Sequence, residues 1–180
     1  MPILEVRRHT MRAKPGQHLS QDGVSLAQHI GRDLGPFDLV VTSELPRAIE
    51  TAIAMGFAVD RYVADLGILP DMVLAALAWP NSLTAISKIL DEDQNCLRFA
   101  QQQAELWRDI FDQLSDDQSA LIITHGGIIE LGALGFLPDS TPNNLGDAVG
   151  YCEGFRFTKQ GEVFTCETLQ VDENLRLIHN

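Results

Sequence analysis

The sequence predicts a three-layer α/β/α sandwich: a mostly parallel sheet, helices on both faces, and a C-terminal antiparallel hairpin. Three features predict it. Short, wholly apolar runs such as Leu39-Val40-Val41 and Leu121-Ile122-Ile123 read as strands buried on both faces. Segments with apolar residues at helical spacing lie between them. After residue 150 the pattern turns aromatic and β-branched on either side of Lys159-Gln160-Gly161, which reads as a hairpin.

The elements follow in order. Pro2 to Val6 is a first strand, and Thr10 to Ser20 a loop broken by Pro15 and Gly16. Ser20 caps a helix from Asp22 to Leu34, whose Val24, Ala27 and Ile30 share a face, and Gly35-Pro36 stops it. After the strand Leu39 to Val41, Thr42 or Ser43 opens a helix through Met55, ended by Gly56. Arg61 to Val63 is a short strand. Helices are predicted over Asp71–Ala78, Ser82–Leu90 and Asn95–Leu114, with Asp91-Glu92-Asp93 as a solvated turn. The strand Leu121 to Ile123 runs into Thr124-His125-Gly126-Gly127, and Ile128 to Leu134 continues as a helix. Tyr151–Thr158 and Glu162–Gln170 form the hairpin.

At 180 residues with 45% hydrophobic content, the chain suits one folded domain spanning 1–180, without a repeat or linker to divide it. A formal net charge of −12 argues against nucleic acid or an anionic membrane as partner, since both need a positive footprint. No apolar run is long enough to span a bilayer. The start carries no basic segment ahead of a long apolar stretch, and Cys96, Cys152 and Cys166 form no Cys-x-x-Cys pair, so a reducing cytoplasm is the expected setting. Against this acidic background Arg7, Arg8, Arg12 and Lys14 are gathered in one short stretch.

In open α/β sheets, ligands bind beyond the carboxyl ends of the strands. Three such ends carry reactive residues: Arg7-Arg8-His9-Thr10, Thr42-Ser43-Glu44-Leu45-Pro46-Arg47 and Thr124-His125-Gly126-Gly127. Parallel strands bring these ends to one edge. There Arg8 and Arg47 would neutralise the oxygens of a phosphate ester through paired, charge-assisted hydrogen bonds. A neutral imidazole would attack phosphorus, dividing one hard step into two easier ones. A second imidazole, protonated, would add charge, and Gly126 and Gly127 would allow close backbone approach at a helix N-terminus that favours anions.

These residues carry a resemblance to the histidine phosphatase, or phosphoglycerate mutase-like, superfamily. Arg8-His9-Thr10 resembles its Arg-His-Gly element. Ser43, Arg47, Ala48, Thr51 and Ala52 match a second element, His125-Gly126 a third, and Leu19, Ser20 and Gly23 a fourth at the first helix. The resemblance implies a phosphatase with His9 as the nucleophile that becomes phosphohistidine. Arg8, Arg47 and His125 would form the phosphate pocket, with Arg12 at its rim. It implies no metal and no cofactor. The substrate would be a phosphorylated small molecule or a phosphoprotein, and compact members acting on phosphohistidine, the SixA-like branch, are similar in size. Two departures stand out. Thr10 replaces the glycine. The glutamate acid of the mutase-like members has no clear equivalent, although Asp65 and Asp71 fall in the right region and Glu44 and Glu130 flank two motifs. A missing acid favours substrates with good leaving groups, because a general acid contributes about 10²–10⁴-fold. Mutase-type phosphoryl transfer and a non-catalytic phosphate-binding module are the competing readings.

Taken singly, other residues have plainer roles. Arg7 and Lys14 read as surface charges, His18 as a loop residue, and His29 as a helix residue. His179 reads as a residue of a frayed tail. Trp79 and Trp107 read as core, with Trp79-Pro80 also placed to line a substrate mouth.

Overall fold

The structure is a computed structural model that describes residues 1–137, 145–161 and 163–179. Its centre is a six-stranded sheet in the order β3-β2-β4-β1-β5-β6. The strands are β1 (Ile3–Arg8), β2 (Leu39–Thr42), β3 (Arg61–Tyr62), β4 (Ser119–Thr124), β5 (Gly154–Gln160) and β6 (Val163–Leu169). β1, β2, β3 and β4 pair in parallel, whereas β5 and β6 add antiparallel strands at one edge. The helices are α1 (Gln21–Gly31), α2 (Pro46–Ala54), α3 (Asp71–Leu77), α4 (Leu83–Glu92), α5 (Gln94–Phe111) and α6 (Ile128–Phe136).

Strand alternation divides the core in two. Leu4, Val6, Val41, Ala120 and Ile122 face one side, where they meet Leu77, Ile86, Phe99, Trp107 and Ile129 from α3 to α6. Val40, Leu121 and Ile123 face the other side, against Leu26 and Ala27 of α1 and Ala48 and Ala52 of α2. Strands covered on both faces are apolar at consecutive positions. The three layers expected from the sequence are therefore present. Among the described residues, no helix is long and apolar enough to cross a membrane. The three cysteines are free thiols.

Several boundaries move for identifiable reasons. α2 begins at Pro46 rather than at Thr42 or Ser43, because Pro46 sits in the first turn, where its missing N–H costs nothing. Asp93 caps α5 by accepting from the Asn95 and Cys96 amides, and Asp91 and Glu92 end α4; the acidic run is a helix junction, not a free turn. β5 begins at Gly154, not Tyr151, because Cys152 takes φ +62° and turns the chain before the strand. Glu162, expected to open the last strand, lies outside the described residues.

Arg7 is corrected most sharply. It is 5% exposed, donates from Nε to Glu5 (3.0 Å) and from Nη1 to the Cys152 carbonyl (2.8 Å). Glu5 pairs in register with Arg156, and Arg156 with Glu167, so the charges form a ladder across β1, β5 and β6. The sequence reading missed it because Glu5 and Arg7 alternate with Leu4 and Val6, and the same alternation suits a solvated face.

α1 meets the loop after β1 through a glycine. A Cβ on Gly23 would stand 2.1 Å from the Met11 carbonyl oxygen. Helix propensity alone favours alanine there by about 1 kcal/mol. The clash reverses that sign, and Gly23→Ala is expected to lose about 1–3 kcal/mol in urea unfolding. A gain in stability would show that Met11 and its loop yield freely.

Candidate active site

The site lies where β1, β2 and β4 end. Arg8 pairs with Thr124 across β1 and β4, and the next amide, His9 N–H, donates to the Thr124 carbonyl (2.9 Å). That register carries His9 beside His125, with ring centroids 4.9 Å apart. On the other side of β4, the Ser43 amide donates to the Ile123 carbonyl, and α2 then delivers Arg47 one turn later. The three strand ends singled out from the sequence thus meet.

Their hydrogen bonds fix the tautomers. A carbonyl oxygen only accepts, so the contact between His9 Nδ1 and the Thr10 carbonyl (2.6 Å) places the proton on Nδ1. The lone pair of neutral His9 is then on Nε2. Arg47 donates from Nε to His9 Nε2 and to His125 Nδ1, both at 3.2 Å, in one shared hydrogen bond. His125 therefore carries its proton on Nε2 and donates it to Ser43 Oγ (2.7 Å). Burial above all pushes the pKa of both rings down. The neighbouring His125 and the cations Arg8 and Arg47 push His9 further below its usual range. For His125, burial, Arg47 and Arg8 lower the value to about 3. Both imidazoles are neutral near pH 7.

Arg8 and Arg47 differ in burial. Arg8 is 3% exposed, and its guanidinium lies between the rings of Trp79 (4.6 Å) and Tyr151 (4.1 Å). Its Nη1 donates to the carbonyls of Val149 (2.9 Å) and Ile178 (2.5 Å). The Arg8 Nε is buried without an acceptor. Arg47 is half-buried, and its Nη1 donates to Gln17 Oε1.

The remaining predicted residues sort differently. Thr10 is fully buried; its amide donates to Thr51 Oγ1 (3.1 Å), and its own hydroxyl has no partner. The side chain in place of glycine is thus tucked under the loop. Arg12 folds back on its own loop, donating to the carbonyls of Pro15 and Gly16, and its charge is still felt by Arg47. Gly126 is required by packing: a Cβ would stand 2.4 Å from the Trp79 ring. The expected anion site at the N-terminus of α6 is already filled, because the Glu130 carboxylate turns back to accept from the Gly127 amide (2.6 Å). Glu130 also accepts from Trp79 Nε1 and the Val149 amide, so it is a fully bonded structural carboxylate.

Asp65 lines a separate surface cleft with Ile68, Phe99 and Glu105, and Asp71 is exposed in the first turn of α3. Among the described residues, no carboxylate bonds to His9, His125, Arg8 or Arg47. No group of three or more His, Cys, Asp and Glu there is arranged to hold a metal. Tyr151, Trp79 and Gln17 were not legible as site residues. Only Trp79-Pro80 carried a signal, as a candidate mouth.

The buried neutral histidines set a pH dependence. In the unfolded chain they titrate near 6.5, and in the folded protein well below it. From pH 6.5 down to about 3 the unfolded chain therefore holds more protons, and stability falls as pH falls. Each histidine contributes a slope of about 1.4 kcal/mol per pH unit. His125→Gln is expected to remove one such contribution from urea unfolding measured between pH 6.5 and 4.5. A slope equal to wild type would mean that folded His125 takes up its proton.

At the level of sequence, no family model and no curated protein matches the chain. Solved structures do match in fold. A phosphoserine phosphatase from Entamoeba histolytica, in complex with 3-phosphoglyceric acid, superposes with a TM-score of 0.71 at 16% identity, covering 97% of this chain and 100% of that one. A mutant of that enzyme in complex with phosphoserine matches with a TM-score of 0.63 at 18% identity, over 94% and 96% of the two chains. A mycobacterial glucosyl-3-phosphoglycerate phosphatase matches with a TM-score of 0.59 at 20% identity, over 94% and 99%. The chain therefore shares its fold with these phosphatases over nearly its whole length.

Proposed function

We propose that the protein is a metal-independent phosphatase that takes the phosphoryl group of its substrate onto His9 Nε2. The observation that carries this reading is the proton placement at His9. Its Nδ1–H is bound to the Thr10 carbonyl, and its Nε2 lone pair faces an arginine in a pocket that keeps the ring neutral. Mere anion binding needs no such nucleophile.

The chemistry follows from these groups. The Nε2 lone pair forms the bond to phosphorus while the bond from phosphorus to the leaving oxygen or nitrogen breaks. The Nδ1–H bond to Thr10 steadies the positive charge that develops on the ring. Arg47, and Arg8 through its unsatisfied Nε–H, supply donors for the phosphoryl oxygens beside the buried histidines. A bound phosphate dianion favours protonation of His125, which then adds a donor from Nδ1. Water attacks the phosphohistidine in the second step, and inorganic phosphate leaves.

No carboxylic acid adjoins the nucleophile among the described residues, which favours leaving groups that depart without one. Phosphohistidine and activated esters fit best. The phosphorylated small molecules named with the matching structures, phosphoserine and 3-phosphoglyceric acid, are the first natural candidates to assay.

The test is release of p-nitrophenol from p-nitrophenyl phosphate in the presence of EDTA. Wild type is expected to turn over, with inhibition by vanadate. His9→Ala should lose roughly 1,000-fold or more. Arg47→Lys should lose at least about 10-fold, because one ammonium cannot reproduce the guanidinium fork. Equal turnover by His9→Ala and wild type would refute the nucleophile assignment.

A further inference from the structure

In this conformation Arg47 covers the nucleophile. For attack, phosphorus must stand about 3–3.5 Å from Nε2, along the lone pair. That place is taken by the Nε–H of Arg47, 3.2 Å from His9 Nε2. Substrate and Arg47 in this position exclude each other, so Arg47 must move before His9 can react. Its partial exposure leaves it room to do so, unlike the clamped Arg8.

Arg47 is retained in this position from the solvent side by Gln17, whose Oε1 accepts from Nη1. Gln17 is not a wandering surface residue. Its loop is closed by a bridge between Arg12 and Leu19 and by the Ala13 amide donating to the His18 carbonyl (2.9 Å). Arg12 Nη1 braces the tip through the carbonyls of Pro15 and Gly16. Glu50, one turn beyond Arg47 on α2, ties the loop to that helix by accepting from the Leu19 amide (2.8 Å) and His18 Nδ1 (2.5 Å). Gln17 and Arg47 are therefore presented to each other from anchored backbones.

We infer that Gln17 is a positioning residue that latches Arg47 over His9, and that a bound phosphoryl group releases the latch by drawing Arg47 onto its oxygens. The inference rests on the phosphatase reading for its meaning but not for its test. The neutral amide suits the role. It holds a cation through a single neutral acceptor, weakly enough for a dianion to win, whereas a carboxylate would hold it through a charge-assisted fork. The latch leaves the imidazole shielded from other electrophiles until an anion arrives.

The experiment compares wild type with Gln17→Ala and Gln17→Glu, both at an exposed loop position that leaves the core untouched. The probe is diethyl pyrocarbonate, a neutral electrophile. The Nε2 lone pair bonds to its carbonyl carbon, ethyl carbonate leaves, and the ring proton passes to solvent. Modification of His9 is followed by peptide mass spectrometry without substrate. Gln17→Ala is expected to react roughly 3–10-fold faster than wild type, and Gln17→Glu more slowly. With p-nitrophenyl phosphate, KM should fall by a similar factor for the alanine variant and rise for the glutamate variant. The neutral reagent separates latching from simple repulsion between glutamate and phosphate. Absence of turnover in wild type would remove the phosphatase reading while the modification rates still tested the latch. The inference is overturned if His9 reacts equally in the three proteins, unreacted in all included. It is equally overturned if both variants shift the rate in one direction, or if Gln17→Ala raises KM.

Discussion

The site depends on the register in which β1 pairs with β4. With Arg8 opposite Thr124, the residues one step beyond both strands are His9 and His125, and the His9 amide is bonded to the Thr124 carbonyl. A slip of one residue would send His9 to the opposite face. The register is held by alternation itself: Leu4 and Val6 must meet the α3–α6 layer with Ala120 and Ile122. On the other face Glu5 and Arg7 share a buried ion pair, and Glu5 is pinned to Arg156. Such a network contributes little net stability, but breaking it strands a buried charge, so it acts mainly against wrong pairings.

Two arginines and two histidines are gathered in a chain whose net charge is −12. Cations so close would repel one another if all four groups were charged. The protein avoids this by keeping both imidazoles uncharged through burial and by spreading the Arg8 charge over carbonyls and two aromatic faces. The same arrangement that makes these cations tolerable side by side leaves a local positive potential.

Much of the fold was legible because its signals are local. Apolar strands buried on both faces, the Ser20 cap and the apolar stripes of the helices each declare themselves within a few residues. His9, Arg8, Arg47 and His125 were legible because strand ends on a parallel sheet share an edge. What escaped notice depends on distant partners. Glu5 finds Arg156, Ser43 finds His125, and Arg8 finds Val149 and Ile178; no spacing in the sequence announces them. Tyr151 was taken for a strand residue because the positive φ at Cys152 has no glycine to mark it. Glu130 did have a signal, as the acid three residues into a helix that opens on Gly127, but the capping reading and the anion-site reading compete for the same amides.

The two tryptophans of the chain occupy opposite situations. Trp107 is fully enclosed and touches Gly132 on α6, so its emission depends on the integrity of the core. Trp79 is half-buried, stacks on the Arg8 guanidinium and leans on Gly126 beside His125. Its indole therefore feels any redistribution of charge around Arg8. The protein thus carries two intrinsic fluorophores, one reporting tertiary order and one the electrostatic surroundings of Arg8, and replacing either by phenylalanine would leave the other as a single-site reporter.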